Sequence, residues 1–272
     1  MPLLTHKDLE TISPLFRGKC GHLFADSLMK VFAIDKVCTL YNNNEQYSGV
    51  DFANHILRDI GVNYTVLGAE RLEQLPEGAF ITISNHPYGS IDGIMLIDLI
   101  GRYRPDYKVL VNQILGHIER LEPNFIKVVP TGKKKEGVKK ESLRGIMQSL
   151  KHLQSGAPLG LFPSGAVSDL SIKERCIRDR EWQFSAIELI KRSRVPVVPI
   201  RFRDRNSMFY YLLGLIDWKI RVTRLPLEVF NKRDKTTRIE VCPIITVEEQ
   251  DRYNNIEEFR TFLRSTIYPI PK

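Results

Sequence analysis

The sequence predicts an α/β fold, a mixed, mostly parallel sheet flanked by helices and led by an N-terminal helical subdomain. Three observations predict it. Short β-rich runs alternate with amphipathic helical segments from residue 62 onward. Runs such as VPVVPI have the unbroken apolar, β-branched character of strands covered on both faces. Before residue 61 the apolar residues recur with helical rather than strand spacing. The expected division is a helical subdomain over 1–61, facing a membrane or packing on the sheet, and an α/β domain over 62–272.

Each element follows from local pattern. FRGKCGHLFADSLMKVFAI (16–34) puts Leu23, Phe24, Leu28, Val31 and Phe32 on one side of a helix. SGVDFANHILRDIG starts at Ser48, a suitable N-cap, and stops at Gly61. The strand candidates are VNYTVLG (62–68), AFITIS (79–84), YKVLVN (107–112), FIKVVP (125–130), PLGLFP (158–163), VPVVPIRF (195–202), KIRVTRL (219–225) and TRIEVCPII (237–245). Between them, KKESLRGIMQSLKHLQSG and WQFSAIELIKRSR read as amphipathic helices. The prolines bounding VPVVPI restrict pairing there, so irregular sheet edges are expected.

Composition narrows the function classes. The 272 residues are 43% hydrophobic and 26% charged, which excludes a disordered chain and suits one large domain with or without a small appendage. A formal charge of +8 favours anionic partners such as lipid headgroups, nucleic acid or an acidic carrier protein. The one biased segment, GKKKEGVKK (132–140), has no interleaved aromatics, so no nucleic-acid partner is expected. Cys20, Cys38, Cys176 and Cys242 are scattered and form no zinc or disulfide pattern, which reads as reduced thiols in a cytoplasmic protein. The start, MPLLTHKDLETISPLF, lacks the features of a signal peptide. The longest apolar runs, IMLIDLI (94–100) and FYYLLGLI (209–216), fall far short of the roughly 20 residues that span a bilayer. Membrane contact is therefore expected to be peripheral, at the inner face of the cytoplasmic membrane, through the N-terminal helices or through FYYLLGLIDW (209–218).

In open α/β sheets ligands lie beyond the carboxyl ends of the strands. Four unusual segments stand there: SNHPYGSIDG (84–93), PTGKKK (130–135), PSGAVSD (163–169) and RDRNS (203–207). In the first, Asp92 stands near the start of a helix and could either cap it or accept a hydrogen bond from the imidazole of His86. The second arrangement fixes one tautomer and turns the other ring nitrogen to the cleft as a general base. Gly89 and Gly93 would let the turn fold tightly. A buried turn histidine beside a helix cap fits the same residues, and the turn alone leaves both readings open.

Four blocks in order carry a resemblance. NHPYGSID (85–92), FIKVVPTGKK (125–134), LFPSG (161–165) and VPVVPI (195–200) resemble the motifs of the glycerolipid or lysophospholipid acyltransferase superfamily, over roughly residues 60–250. Five residues separate His86 from Asp92 where that family has four, and Ser164 stands where glutamate is usual. Both departures resemble a bacterial branch that O-acylates lyso-aminolipids made from ornithine or glycine. HPYGSIDG, FPSGAVS (162–168), DREW (179–182) and DRNS (204–207) match that branch, with Ala166 where it often has an acidic residue.

The resemblance implies an O-acyltransferase in which His86 deprotonates a lyso-lipid hydroxyl, Asp92 orients His86, and the oxygen attacks the thioester of acyl-ACP or acyl-CoA. No further cofactor is implied. Asn85, Gly89, Ser90, Lys127, Lys133, Pro163, Ser164, Gly165 and Asn206 become expected substrate contacts. Among them, amides around Gly165 and the Ser164 hydroxyl would hold the oxyanion, and Lys127 or Lys133 an anionic headgroup or pantetheine phosphate. FYYLLGLIDW (209–218), a candidate for membrane contact, equally suits the lining of an acyl-chain tunnel. A 1-acylglycerol-3-phosphate acyltransferase, or a thioesterase or lipid hydrolase using the same turn, is the alternative.

Overall fold

A computed structural model describes residues 17–128 and 140–268. Three helices lead the chain: α1 (Gly18–Val31), α2 (Ile34–Asn43) and α3 (Gly49–Ile60). The α/β part then runs β1 (Asn63–Leu67), β2 (Ile81–Ser84), α4 (Ile91–Gly101), β3 (Lys108–Asn112), β4 (Phe125–Val128), α5 (Lys140–Gln154) and β5 (Leu159–Leu161). A hairpin of β6 (Asp169–Ser171) and β7 (Cys176–Arg178) follows, then α6 (Phe184–Ser193) and β8 (Val197–Phe202). Three short helices, α7 (Met208–Ile216), α8 (Trp218–Thr223) and α9 (Leu225–Phe230), lead to β9 (Thr236–Val241), α10 (Val247–Gln250) and α11 (Ile256–Ile267).

Seven strands form one sheet in the order β1-β9-β8-β2-β5-β3-β4. Strands β8, β2, β5, β3 and β4 run parallel, and β9 meets β8 antiparallel, so the sheet is mixed and mostly parallel. Period-two alternation divides its side chains between two cores. Phe80, Val198, Ile200 and Phe202 face α3 and α4 on one side. Ile81, Ile83, Leu159, Leu161 and Val197 face α6 and α11 on the other. Every residue of β2 is buried, as a central strand covered on both faces requires.

The leading helices differ among themselves. Phe52, Ala53, Ile56, Leu57 and Ile60 of α3 enter the same core as the sheet, and Gly61 ends that helix at φ +78°. Ser48 holds the N-cap position of α3, but its hydroxyl makes no capping bond. On α1, Leu23, Phe24 and Val31 of the anticipated apolar side remain exposed. Inside apolar α4, the buried Asp98 carboxylate takes Arg102, Asn54 and Tyr64 as donors, which is what makes its charge tolerable there.

One expected strand is a helix, and one hairpin was not anticipated. KIRVTRL (219–225) alternates apolar and basic residues, yet it forms α8 and the start of α9. The burial runs opposite to a strand's: Arg221 is buried while Ile220 and Val222 are exposed. The Asp217 side chain accepts the Lys219 N–H and caps the helix, a local signal stronger than the alternation. The β6–β7 hairpin has only three residues per strand, too few to register as periodicity.

Candidate active site

Central strand β2 ends at Ser84 between β8 and β5, so three of the four unusual segments meet at its carboxyl end. The Asn85 carboxamide joins them at the root: its nitrogen donates to Phe202 O at 2.9 Å and its oxygen accepts from Phe202 N at 2.8 Å. Both arms of Asn85 are thereby spent on the end of β8. His86 follows directly, with Phe162 from the end of β5 against its ring at 4.2 Å between centroids.

The imidazole and the carboxylate meet across the turn. Asp92 lies in the first turn of α4, fully buried, and its Oδ2 is 2.8 Å from His86 Nδ1. That oxygen also accepts the amides of Tyr88 at 3.1 Å and Gly89 at 3.2 Å, so Asp92 shapes the turn while it holds the ring. The left-handed backbone of Gly89, φ +83°, closes the turn where a Cβ would lie 2.6 Å from Val167 Cγ2. Gly93 has no such constraint, its nearest neighbour being 3.9 Å from a built Cβ. With Nδ1 engaged, Nε2 is the nitrogen left for a substrate, and 18% of the His86 side chain is open to solvent.

A second carboxylate stands behind His86. Asp179 Oδ1 accepts the His86 main-chain N–H at 3.1 Å and the Ser168 hydroxyl at 2.6 Å, while Trp182 Nε1 donates to Oδ2 at 3.3 Å. The Tyr268 hydroxyl accepts the Asp179 amide, and Arg264 donates to its carbonyl. Burial alone would lower the pKa of His86, but the charge and hydrogen bond of Asp92, with the charge of Asp179, carry it above the ordinary value. Burial pushes Asp179 itself upward, opposed by its bonds from Ser168 and the His86 amide. Asp179 belongs to the DREW block, but its approach to His86 spans 93 residues and has no local signature.

The turn after β5 is tightly self-bonded. Gly165 N donates to Phe162 O at 2.9 Å, and the Ser164 hydroxyl donates to Ala166 O at 2.7 Å. The Ala166 amide makes only a long bond, 3.4 Å, to Ser164 Oγ. Buried Pro163 accepts the Gln183 amide through its carbonyl at 2.8 Å, and Gly165, at φ +62°, has Gln183 where a side chain would go. Ser168 N donates to His86 O at 2.9 Å, locking this loop to the histidine turn.

The segment after β8 buttresses the turn from the other side. Asn206 is buried and donates to Tyr88 O at 3.1 Å, and Tyr211 Oη donates to Pro87 O at 2.8 Å. Lys232 bonds Asn206 Oδ1 and stacks 4.5 Å over the Tyr88 ring; burial brings its pKa down to about 8. Neither Lys232 nor Tyr211 was singled out from the sequence: Tyr211 acts through the Pro87 carbonyl and Lys232 through the Asn206 side chain and the Tyr88 ring, all reached only after folding.

The remaining expected residues are placed less centrally. Ser90 precedes α4, and its buried hydroxyl has no partner among the described residues. Lys127 lies on edge strand β4, three strands from β2, a separation of about 14 Å at about 4.8 Å per strand. Its ammonium pairs with Glu122 at 2.8 Å. Lys133 lies outside the described residues, as does nearly all of the basic run around it.

Comparison with known proteins gives the family. A family model described as "Acyltransferase" matches residues 24–271. The chain is 28% identical over 250 residues to the lyso-glycine lipid O-acyltransferase of Bacteroides thetaiotaomicron, covering 89% of this chain and 88% of that one. It is 26% identical over 244 residues to the enzyme of the same name from Phocaeicola vulgatus, covering 87% and 83%. Among solved structures, the 1-acyl-sn-glycerophosphate acyltransferase PlsC of Thermotoga maritima aligns with a TM-score of 0.46 at 12% identity, covering 80% of this chain and 79% of that one. Since the family model spans both the histidine turn and the two loops that flank it, the chain belongs to the acyltransferase family and is an acyltransferase.

Proposed function

We propose that this protein transfers a fatty acyl group from an acyl thioester to the hydroxyl of a lyso-lipid, a lyso-aminolipid of the lyso-glycine type, with His86 as general base and Asp92 orienting it. The observation that carries the reading is the 2.8 Å pairing of His86 Nδ1 with buried Asp92 at the end of the central strand. The two curated relatives, both acting by name on lyso-glycine lipid, support the choice of acceptor.

In the proposed reaction Nε2 of His86 takes the hydroxyl proton as the oxygen attacks the thioester carbonyl. The tetrahedral intermediate collapses by breaking the carbon–sulfur bond. The departing thiolate recovers the proton from the imidazolium, which restores the base. The oxyanion is assigned to the 164–166 turn. There the Ala166 amide, with its long bond, is the donor most easily surrendered, and Ser164 can follow by rotating its hydroxyl off Ala166 O. The unpartnered Ser90 hydroxyl is assigned to the acceptor. Asn85, Gly89, Pro163, Gly165 and Asn206 act on substrate by holding the two turns, while Lys127 and Lys133 are assigned to an anionic part of the donor. No metal takes part in the proposed steps, acyl-ACP or acyl-CoA serves as donor, and the acceptor is met at a membrane surface.

The test is thiol release from acyl-ACP and from acyl-CoA by purified protein, with and without lyso-glycine lipid, with the lipid product followed by mass spectrometry. Acceptor-dependent release with formation of the diacylated aminolipid is expected. Equal release without acceptor would identify a hydrolase. Acylation confined to lysophosphatidate would move the assignment to phosphatidate synthesis.

A further inference from the structure

Helix α7, MFYYLLGLI, is apolar on every side, a composition that normally belongs to a helix surrounded by protein or lipid. The protein covers only one side. Tyr210 and Tyr211 are buried, and Tyr211 ties the helix to the carbonyl of Pro87. Outward, Phe209 is 54% exposed, Ile216 76% and Trp218 58%, with Leu212, Leu215 and Ile220 also exposed. Half of the exposed large hydrophobic side chains among the described residues fall between Met208 and Val222. An apolar surface so concentrated marks an interaction site.

Its rim and its moorings point to one occupant. Exposed Arg205 and Lys219 flank the apolar surface, with Arg224 lying 4.7 Å over the Phe209 ring; Asp217 is the acidic residue in the stretch, and its carboxylate caps α8. The neighbouring hairpin, whose β6 packs against α7, carries exposed Ile172 followed by Lys173, Glu174 and Arg175, with Glu174 paired to Arg178. Two copies of this surface facing each other would oppose like charges, whereas an anionic bilayer satisfies both the apolar centre and the basic rim.

The inner side is bound to the candidate active site. Buried Arg221 of α8 donates to Ser168 O and pairs with Asp169, while Ser168 N holds His86 O. At the start of α9, Leu225 Cδ2 lies 2.9 Å from where a Cβ on Gly89 would sit.

We propose that α7 and α8 form an interfacial surface that seats the protein on an anionic lipid bilayer, with Phe209, Leu212, Leu215, Ile216, Trp218 and Ile220 entering the headgroup region beside the histidine turn. The proposal rests on the lyso-lipid reading for its purpose, but binding is measured without substrate. Trp182 and Trp218 are the chain's two tryptophans, and Trp182 is buried. Trp218 fluorescence therefore reports the surface.

Full-length protein is titrated with vesicles of phosphatidylglycerol and phosphatidylethanolamine. Emission should shift to the blue, be quenched by brominated acyl chains, and lose both responses in Trp218→Phe. The double variant Leu212→Asp/Ile216→Asp should bind the vesicles about tenfold or more weakly. Its transfer to a short-chain acceptor kept in free solution should stay within about threefold of the parent, since both side chains are exposed and neither is among those that hold the histidine turn. Raised salt should weaken the parent's binding. Trp218 that stays open to iodide and unquenched on vesicles would overturn the proposal, and this arm uses the unmodified chain. A double variant that binds vesicles like the parent, or a parent dimer that this variant splits, would overturn it too. Vesicle binding as expected, with no transfer to lyso-aminolipid, would remove the substrate reading and leave the docking surface standing.

Discussion

Gly89→Ala perturbs the site through a single methyl group. Gly89 holds φ +83°, and an added Cβ would lie 2.6 Å from Val167 Cγ2 and 2.9 Å from Leu225 Cδ2. The left-handed backbone costs an L-residue about 1–2 kcal/mol. Forcing the methyl between two packed side chains costs about 1–3 kcal/mol. Together they come to about 2–5 kcal/mol, and relief of the clash must move the turn or the loop facing it. Either movement disturbs the Gly89 amide on Asp92 Oδ2, and a displacement near 1 Å is worth about 10²-fold in kcat. Urea unfolding followed by circular dichroism measures the first effect, and initial rates at saturating acceptor measure the second. A variant with an unchanged urea midpoint and kcat within about twofold of the parent would refute the idea that these contacts lock the turn.

Four further outcomes are expected. Asp92→Asn can keep both main-chain amides on its side-chain oxygen but removes the charge behind the imidazole, so kcat should fall about 10²–10⁴-fold with little change in unfolding; a loss confined to stability would make Asp92 a structural cap. His86 must be neutral to take a proton, so activity should rise with pH through a midpoint above the ordinary imidazole value of 6.5. Asp179→Asn removes one of the charges that raise His86 and should move that limb to lower pH, lowering kcat with KM held; a limb that stays or moves up would separate Asp179 from the base. Asn206→Ala strips a partner from buried Lys232 and releases Tyr88 O, so it should cost about 1–3 kcal/mol in unfolding and lower kcat, whereas an effect on KM alone would make Asn206 a direct substrate contact.

Much of this was legible because strand ends advertise themselves. The runs AFITI, LGLF and PVVPIRF each give way to polar residues, with glycine after the first two, that a buried strand would not tolerate, and parallel pairing brings those ends together around β2. The His86–Asp92 hydrogen bond could be anticipated because it is local, closed within one turn and the start of one helix. Asp179, Lys232 and Tyr211 could not, since each reaches the turn from a part of the chain remote in sequence, Asp179 across 93 residues. KIRVTRL misled because alternation identifies a strand only when the apolar set faces inward, and here Ile220 and Val222 face out. For α7 the sequence left two readings open, a membrane-facing surface or a lining for the acyl chain: an apolar run reads alike whether protein or lipid covers it, and only the folded chain shows Phe209, Ile216 and Trp218 uncovered.

The most direct test of the central claim is single-turnover acyl transfer by His86→Ala, with acyl thioester and lyso-glycine lipid premixed and both thiol and diacyl product counted. Loss of the base should slow both about 10²–10⁴-fold together, in a protein whose circular dichroism and vesicle binding match the parent's. Transfer within about tenfold of the parent would contradict the account and place the proton acceptor elsewhere.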